Sequence, residues 1–261
     1  MTDHRIDTRL GQLHVRTEGA GPALVFWNSL LMSGAVWAAQ VAHFSGRYRV
    51  VLIDPPGHGR SEALGRDFSF EECAGCLVQV LDTLGIGRAH VVGSSWGGMV
   101  GGTFAALHPE RAGTLVLMNA TASPASVQQR LEYAVLVGLL GLFTRMPAPL
   151  KAVAIRAFVG PTTERSRPQV LQQLRSALGE VDTRSARWAV RSVVPQRPDQ
   201  HALFARIRSP ALVIAGTEDR TFQTGDVRAM AASIQGAVYQ ELDGAAHLVA
   251  LECPDRVNAL I

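Results

Sequence analysis

The chain has 261 residues, 47% hydrophobic and 18% charged, with a formal charge of +3. That suits one α/β domain or a domain with an insertion, and excludes a disordered chain. So small a net charge gives no reason to expect a nucleic-acid partner. Residues 5–17 alternate enough to predict one or two edge strands joined at Gly11. Ala23-Leu24-Val25-Phe26-Trp27 predicts a buried strand, Gly34–Phe44 a helix, and Tyr48–Ile53 a second buried strand that ends at Asp54. A Pro/Gly-rich turn follows, Pro55-Pro56-Gly57-His58-Gly59-Arg60-Ser61. A helix is predicted over 69–85, where Phe70, Ala74, Leu77, Leu81 and Leu84 fall on one stripe. That stripe makes Cys73 and Cys76 small core or flank residues of a helix, not a redox or metal pair, and no second Cys/His cluster offers a metal site.

Ala89–Val92 is an apolar strand, followed by Gly93-Ser94-Ser95-Trp96-Gly97 and then a helix-compatible stretch from Gly98. Strand, sharp turn and helix give the G-x-S-x-G pattern its chemical meaning. The turn strains the serine backbone and lifts the Ser95 hydroxyl from the top of a sheet. Gly113–Met118 predicts another strand. From about 121 to 206 the pattern changes to helices broken by prolines. Residues 121–200 carry an excess of six positive charges, eleven Lys/Arg against five acids. Strands return at Ala211–Gly216 and Ala237–Leu242. Apolar strands alternating with helices indicate a mostly parallel sheet covered on both faces. The expected division is a sheet core of residues 1–120 and 207–261 with a helical lid, 121–206. The longest apolar run, Ala134–Phe143, is too short for a bilayer, which needs about 20 residues. It is a lid surface lining the substrate path, a packing helix, or both. The N-terminus has no basic-then-apolar leader, so a soluble cytoplasmic protein is expected.

A serine hydroxyl needs a base to take its proton, and the base is usually a histidine held by a carboxylate. Asp219 follows the strand 211–216, and His247 follows the strand 237–242. Both therefore emerge at the sheet edge where Ser95 emerges, and the order Ser, acid, His suits this arrangement. Glu218 competes with Asp219. Asn119, at the end of the strand 113–118, is an amide and cannot act as the acid.

Over nearly its whole length the chain resembles the α/β-hydrolase superfamily. Gly57-His58-Gly59-Arg60-Ser61 is similar to that family's G-H-G-x-S turn, and Gly244-Ala245-Ala246-His247 to its histidine loop. Within the superfamily, Trp27-Asn28-Ser29-Leu30 resembles the oxyanion loop of β-ketoadipate enol-lactone hydrolases. Ser94-Ser95-Trp96 departs from their usual words, as does the loop after Leu30, which lacks a glycine. The resemblance implies Ser95 as nucleophile, His247 as base, Asp219 as its orienting acid, and an oxyanion hole from the N–H groups of Leu30 and Trp96. It further implies a pocket bounded by Asn28, Ser29, Trp96 and Leu248, and no cofactor or metal. The expected activity is cleavage of an ester or lactone through an acyl-enzyme, with a small carboxylate-bearing lactone as one candidate substrate. Two alternatives stay open: carbon–carbon hydrolysis of a vinylogous diketone, and a ligand-binding receptor on the same scaffold.

Overall fold

The computed structural model describes residues 1–261. Eight strands form one sheet: β1 (Thr2–Thr8), β2 (Gly11–Glu18), β3 (Ala23–Trp27), β4 (Arg49–Ile53), β5 (Ala89–Ser94), β6 (Ala112–Met118), β7 (Ala211–Gly216) and β8 (Val238–Leu242). Their order is β1-β2-β4-β3-β5-β6-β7-β8. β1 and β2 form an antiparallel hairpin, β2 runs antiparallel to β4, and every other pair is parallel. All five residues of β3 are buried, which is why that strand reads as a continuous apolar run.

Twelve α-helices accompany the sheet: α1 (Ala38–Phe44), α2 (Phe70–Thr83), α3 (Trp96–Leu107), α4 (Val127–Leu140), α5 (Ala148–Phe158), α6 (Pro161–Ser166), α7 (Pro168–Glu180), α8 (Thr183–Val193), α9 (His201–Phe204), α10 (Thr224–Ala232), α11 (Val249–Glu252) and α12 (Pro254–Asn258). A short 3₁₀ turn, Gly34–Trp37, precedes α1, so the helix predicted over 34–44 begins later than its pattern suggests. α2, α3 and α10 pack on one sheet face, and α1, α11 and α12 on the other. α2 starts at a reciprocal cap in which Ser69 Oγ accepts from Glu72 N (3.2 Å) and Glu72 Oε2 accepts from Ser69 N (2.9 Å). Cys73 and Cys76 lie buried on the inward face of α2, where burial pushes both thiols up, Cys73 well above the usual range.

The segment between β6 and β7 contains no strand of the sheet; α4–α9 lie there. Phe158, Leu174 and Leu178 of this segment pack on Met32 and Leu248 of the sheet-edge loops. α4 is split by face: Leu136 and Leu140 turn inward, while Val127, Leu131, Val135 and Leu139 are exposed. No helix is long and apolar enough to cross a membrane.

Candidate active site

β5 ends at Ser94, and the chain reverses through Ser95 into α3. Ser95 has φ 55° and ψ −113°, a region that costs a non-glycine residue roughly 1–3 kcal/mol. Its N–H donates to Met118 O (2.8 Å), and its carbonyl accepts from Met99 N (3.1 Å) as the helix begins. The flanking glycines are steric requirements. A Cβ on Gly93 would lie 2.1 Å from Gly97 O, and one on Gly97 would lie 2.0 Å from Trp27 O. Both contacts are with backbone, which cannot swing aside. Gly97→Ala is therefore expected to lower stability by about 3 kcal/mol, read as a lower urea midpoint at an unchanged m-value.

β7 and β8 deliver the other two groups. Asp219 Oδ1 accepts from Thr221 N (2.7 Å) and Phe222 N (3.2 Å). Asp219 Oδ2 accepts from Asn119 Nδ2 (2.7 Å) and lies 2.9 Å from His247 Nδ1. A carboxylate only accepts, so Nδ1 of His247 is the donor in this contact, and in the neutral ring Nε2 is then the nitrogen with the free lone pair. Both side chains are shielded from solvent, at 1% and 0% exposure, so the contact forms in a low-dielectric setting. The His247 ring stacks on Phe158 (5.4 Å between centroids, 9° between planes) and meets Phe222 at 5.8 Å. Glu218 is engaged elsewhere: its carboxylate accepts from Thr162 N (2.8 Å) and Thr162 Oγ1 (2.6 Å), tying α6 to the turn after β7.

Two further groups hold this arrangement. Asn119, at φ 48°, spans Asp219 and Ala246 O (3.1 Å), joining the β6, β7 and β8 edges. Glu252 is buried, and burial raises its carboxyl above the ordinary value. Its Oε1 accepts from Ala246 N (3.0 Å) and Leu248 N (3.1 Å), the amides on either side of His247. Glu252→Ala leaves two buried N–H groups without an acceptor. The expected cost is roughly 2–4 kcal/mol in stability, checked by thermal and urea unfolding.

A cavity of about 120 Å³ lies between the sheet edge and the inward faces of α4, α5 and α8. Ser95 and His247 line it together, with Ser29, Leu30 and Leu31 on one side. The Leu30 N–H donates to no backbone or side-chain acceptor. Trp96 opens α3, where the first N–H groups have no partner within the helix. Leu31, in place of a glycine, adopts φ 64°. The pocket expected from Asn28, Ser29, Trp96 and Leu248 needs correction, because Ser29 alone of the four lines the cavity. The Trp96 ring turns into the core and packs against Trp27, Phe68 and His58. Asn28 is fully buried, donating to Ile53 O (3.2 Å) and accepting from the Trp37 indole N–H. Leu248 sits in the apolar cluster with Met32 and Phe158. In each case the side chain finds burial or polar partners away from the cavity. The walls come instead from the inserted helices, through Tyr133, Leu136, Leu140 and Phe158.

Residues 22–254 match the family model described as the alpha/beta hydrolase fold. The chain is 27% identical over 237 residues to 3-oxoadipate enol-lactonase 2 of Acinetobacter baylyi, covering 91% of this chain and 86% of that one. It is 34% identical over 224 residues to the 2-hydroxy-6-oxononadienedioate/2-hydroxy-6-oxononatrienedioate hydrolase of Burkholderia vietnamiensis, covering 83% and 74%. Among solved structures, the enol-lactonase from Burkholderia xenovorans superposes with a TM-score of 0.89 at 29% identity, covering 98% of this chain and 97% of that one. With the family model spanning most of its length and the mostly parallel eight-stranded sheet in place, the chain belongs to the α/β-hydrolase fold family.

Proposed function

We propose that the protein is a serine hydrolase that cleaves an ester or lactone through an acyl-enzyme. The observation that carries this reading is the pairing of His247 with Asp219 at a cavity that Ser95 also lines. In the proposed cycle His247 Nε2 takes the Ser95 proton as Oγ attacks the substrate carbonyl. The tetrahedral oxyanion accepts from the N–H groups of Leu30 and Trp96, donors fixed by the loop after β3 and the start of α3. The α3 dipole adds to that stabilisation. The imidazolium returns its proton to the leaving oxygen and is stabilised by Asp219. Water, activated by His247, then releases the acid. Residues 121–206 act as a lid over a core of residues 1–120 and 207–261, since α4, α5 and α8 roof the cavity.

A cavity near 120 Å³ is smaller than the roughly 150 Å³ that holds one benzene. Short acyl groups are therefore the expected substrates. Across p-nitrophenyl esters, kcat/KM should peak at acetate to butyrate and fall at least about tenfold by octanoate. A flat profile, or one rising with chain length, would contradict the size argument. A second reading, carbon–carbon hydrolysis by the same three residues, is favoured by the 34% identity to a hydrolase named for a 2-hydroxy-6-oxo dioate. Decay of such a substrate's chromophore, with p-nitrophenyl esters and small lactones left intact, would move the assignment to it.

A further inference from the structure

One wall of the cavity departs from its apolar lining. Arg197 stands there, 3% exposed. Its Nε donates to Ser123 O (2.8 Å), Nη2 lies a long 3.5 Å from Gln129 Oε1, and the guanidinium sits 5.3 Å from the Phe222 ring centroid. Nη1 has no hydrogen-bond partner in the protein, and no carboxylate forms a salt bridge with the group. Asp226 attracts it only from a distance, and no Asp or Glu lines the cavity. Burial brings the guanidinium down to about 10, so it remains a cation at neutral pH. Tyr133 lines the same cavity, and burial raises its hydroxyl above the ordinary phenol range, so it remains a proton donor.

A cation kept from water without a counter-charge is costly unless something completes it. The protein around it does so only in part, through one backbone carbonyl, a long contact with the Gln129 amide oxygen and one aromatic face. The open donor shares a cavity with Ser95 and His247, so the group that completes it is part of the molecule bound there. A planar fork of N–H donors matches a carboxylate better than any neutral acceptor.

We propose that Arg197, assisted by the Tyr133 hydroxyl, binds a carboxylate carried by the substrate and selects short anionic esters or lactones over neutral ones of the same size. This rests on the catalytic reading above. It uses Arg197 as a specificity residue, with no part in the bond-breaking steps.

The test pairs mono-p-nitrophenyl glutarate with p-nitrophenyl valerate in wild type, Arg197→Gln, Arg197→Lys and Tyr133→Phe. Wild type should favour the anionic ester. In Arg197→Gln the anionic-to-neutral ratio of kcat/KM should fall roughly 10- to 100-fold, carried by KM. Lysine should restore part of the ratio, and Tyr133→Phe should lower it a few-fold. A ratio unchanged in all three variants overturns the proposal, because a merely structural Arg197 would slow both esters alike. Glutarate binding by calorimetry separates this failure from failure of the catalytic reading, since it requires no turnover. Binding in wild type that is lost in Arg197→Gln supports the anion site even if neither ester is hydrolysed. Absent binding in wild type, or equal binding in both, overturns it.

Discussion

Replacing Ser95 by alanine is expected to lower kcat against p-nitrophenyl butyrate by about 10⁴-fold or more, with KM changed little. The Ser95 hydroxyl caps no N–H of α3, and Ser95 lines the cavity together with His247. The strained backbone at φ 55° is as awkward for alanine as for serine, and Met118 O still holds the N–H. Thermal stability should therefore match wild type while turnover disappears. Full activity in the variant would remove Ser95 from the mechanism.

Asp219→Asn should cost a comparable factor, about 10⁴-fold in kcat, by a different route. Oδ1 of Asp219 accepts from two backbone amides, Thr221 and Phe222. Those amides hold the new side chain's oxygen at that position, which places its NH₂ where Oδ2 was. Two donors already point at that place, Asn119 Nδ2 and His247 Nδ1. His247 must then switch tautomer and accept at Nδ1, which puts its proton on Nε2 and leaves no base facing Ser95. The Asn119 amide is left donor against donor, so a loss of stability of roughly 1–3 kcal/mol should accompany the loss of rate. Activity within tenfold of wild type would show that the Asp219–His247 contact does not control the tautomer.

The centre of the sheet was legible because β3 to β7 are mainly apolar and buried, and its turns carry glycine and proline. β3 and β5 appear within a residue or two of their patterns, since a strand buried on both faces leaves nothing polar to mislead the reading. The placement of Ser95, Asp219 and His247 was legible for a similar reason: each follows the C-terminal end of a strand, and parallel strands bring such ends together. The pocket was not legible. Which way Trp96 or Leu248 points depends on where Phe68, Met32 and Phe158 stand, and those contacts bridge elements far apart in sequence. Asn119 escapes the sequence as a support because it joins groups far apart in the chain, the Asp219 carboxylate and Ala246 O, and Glu252 because its partners here are the backbone amides of Ala246 and Leu248, which carry no residue signature. Arg197 read as one of eleven basic residues in its segment; its burial and lack of an acid partner exist only in three dimensions.

The most direct test of the central claim is to trap the covalent intermediate. The protein would be treated with a short-chain alkyl fluorophosphonate, or quenched in acid during turnover of a slowly released ester, then digested and its peptides weighed. The prediction is one stoichiometric adduct on the peptide carrying Ser95, absent from Ser95→Ala. Steady turnover with no adduct on Ser95, or with the label on another residue, would contradict an acyl-enzyme at this position.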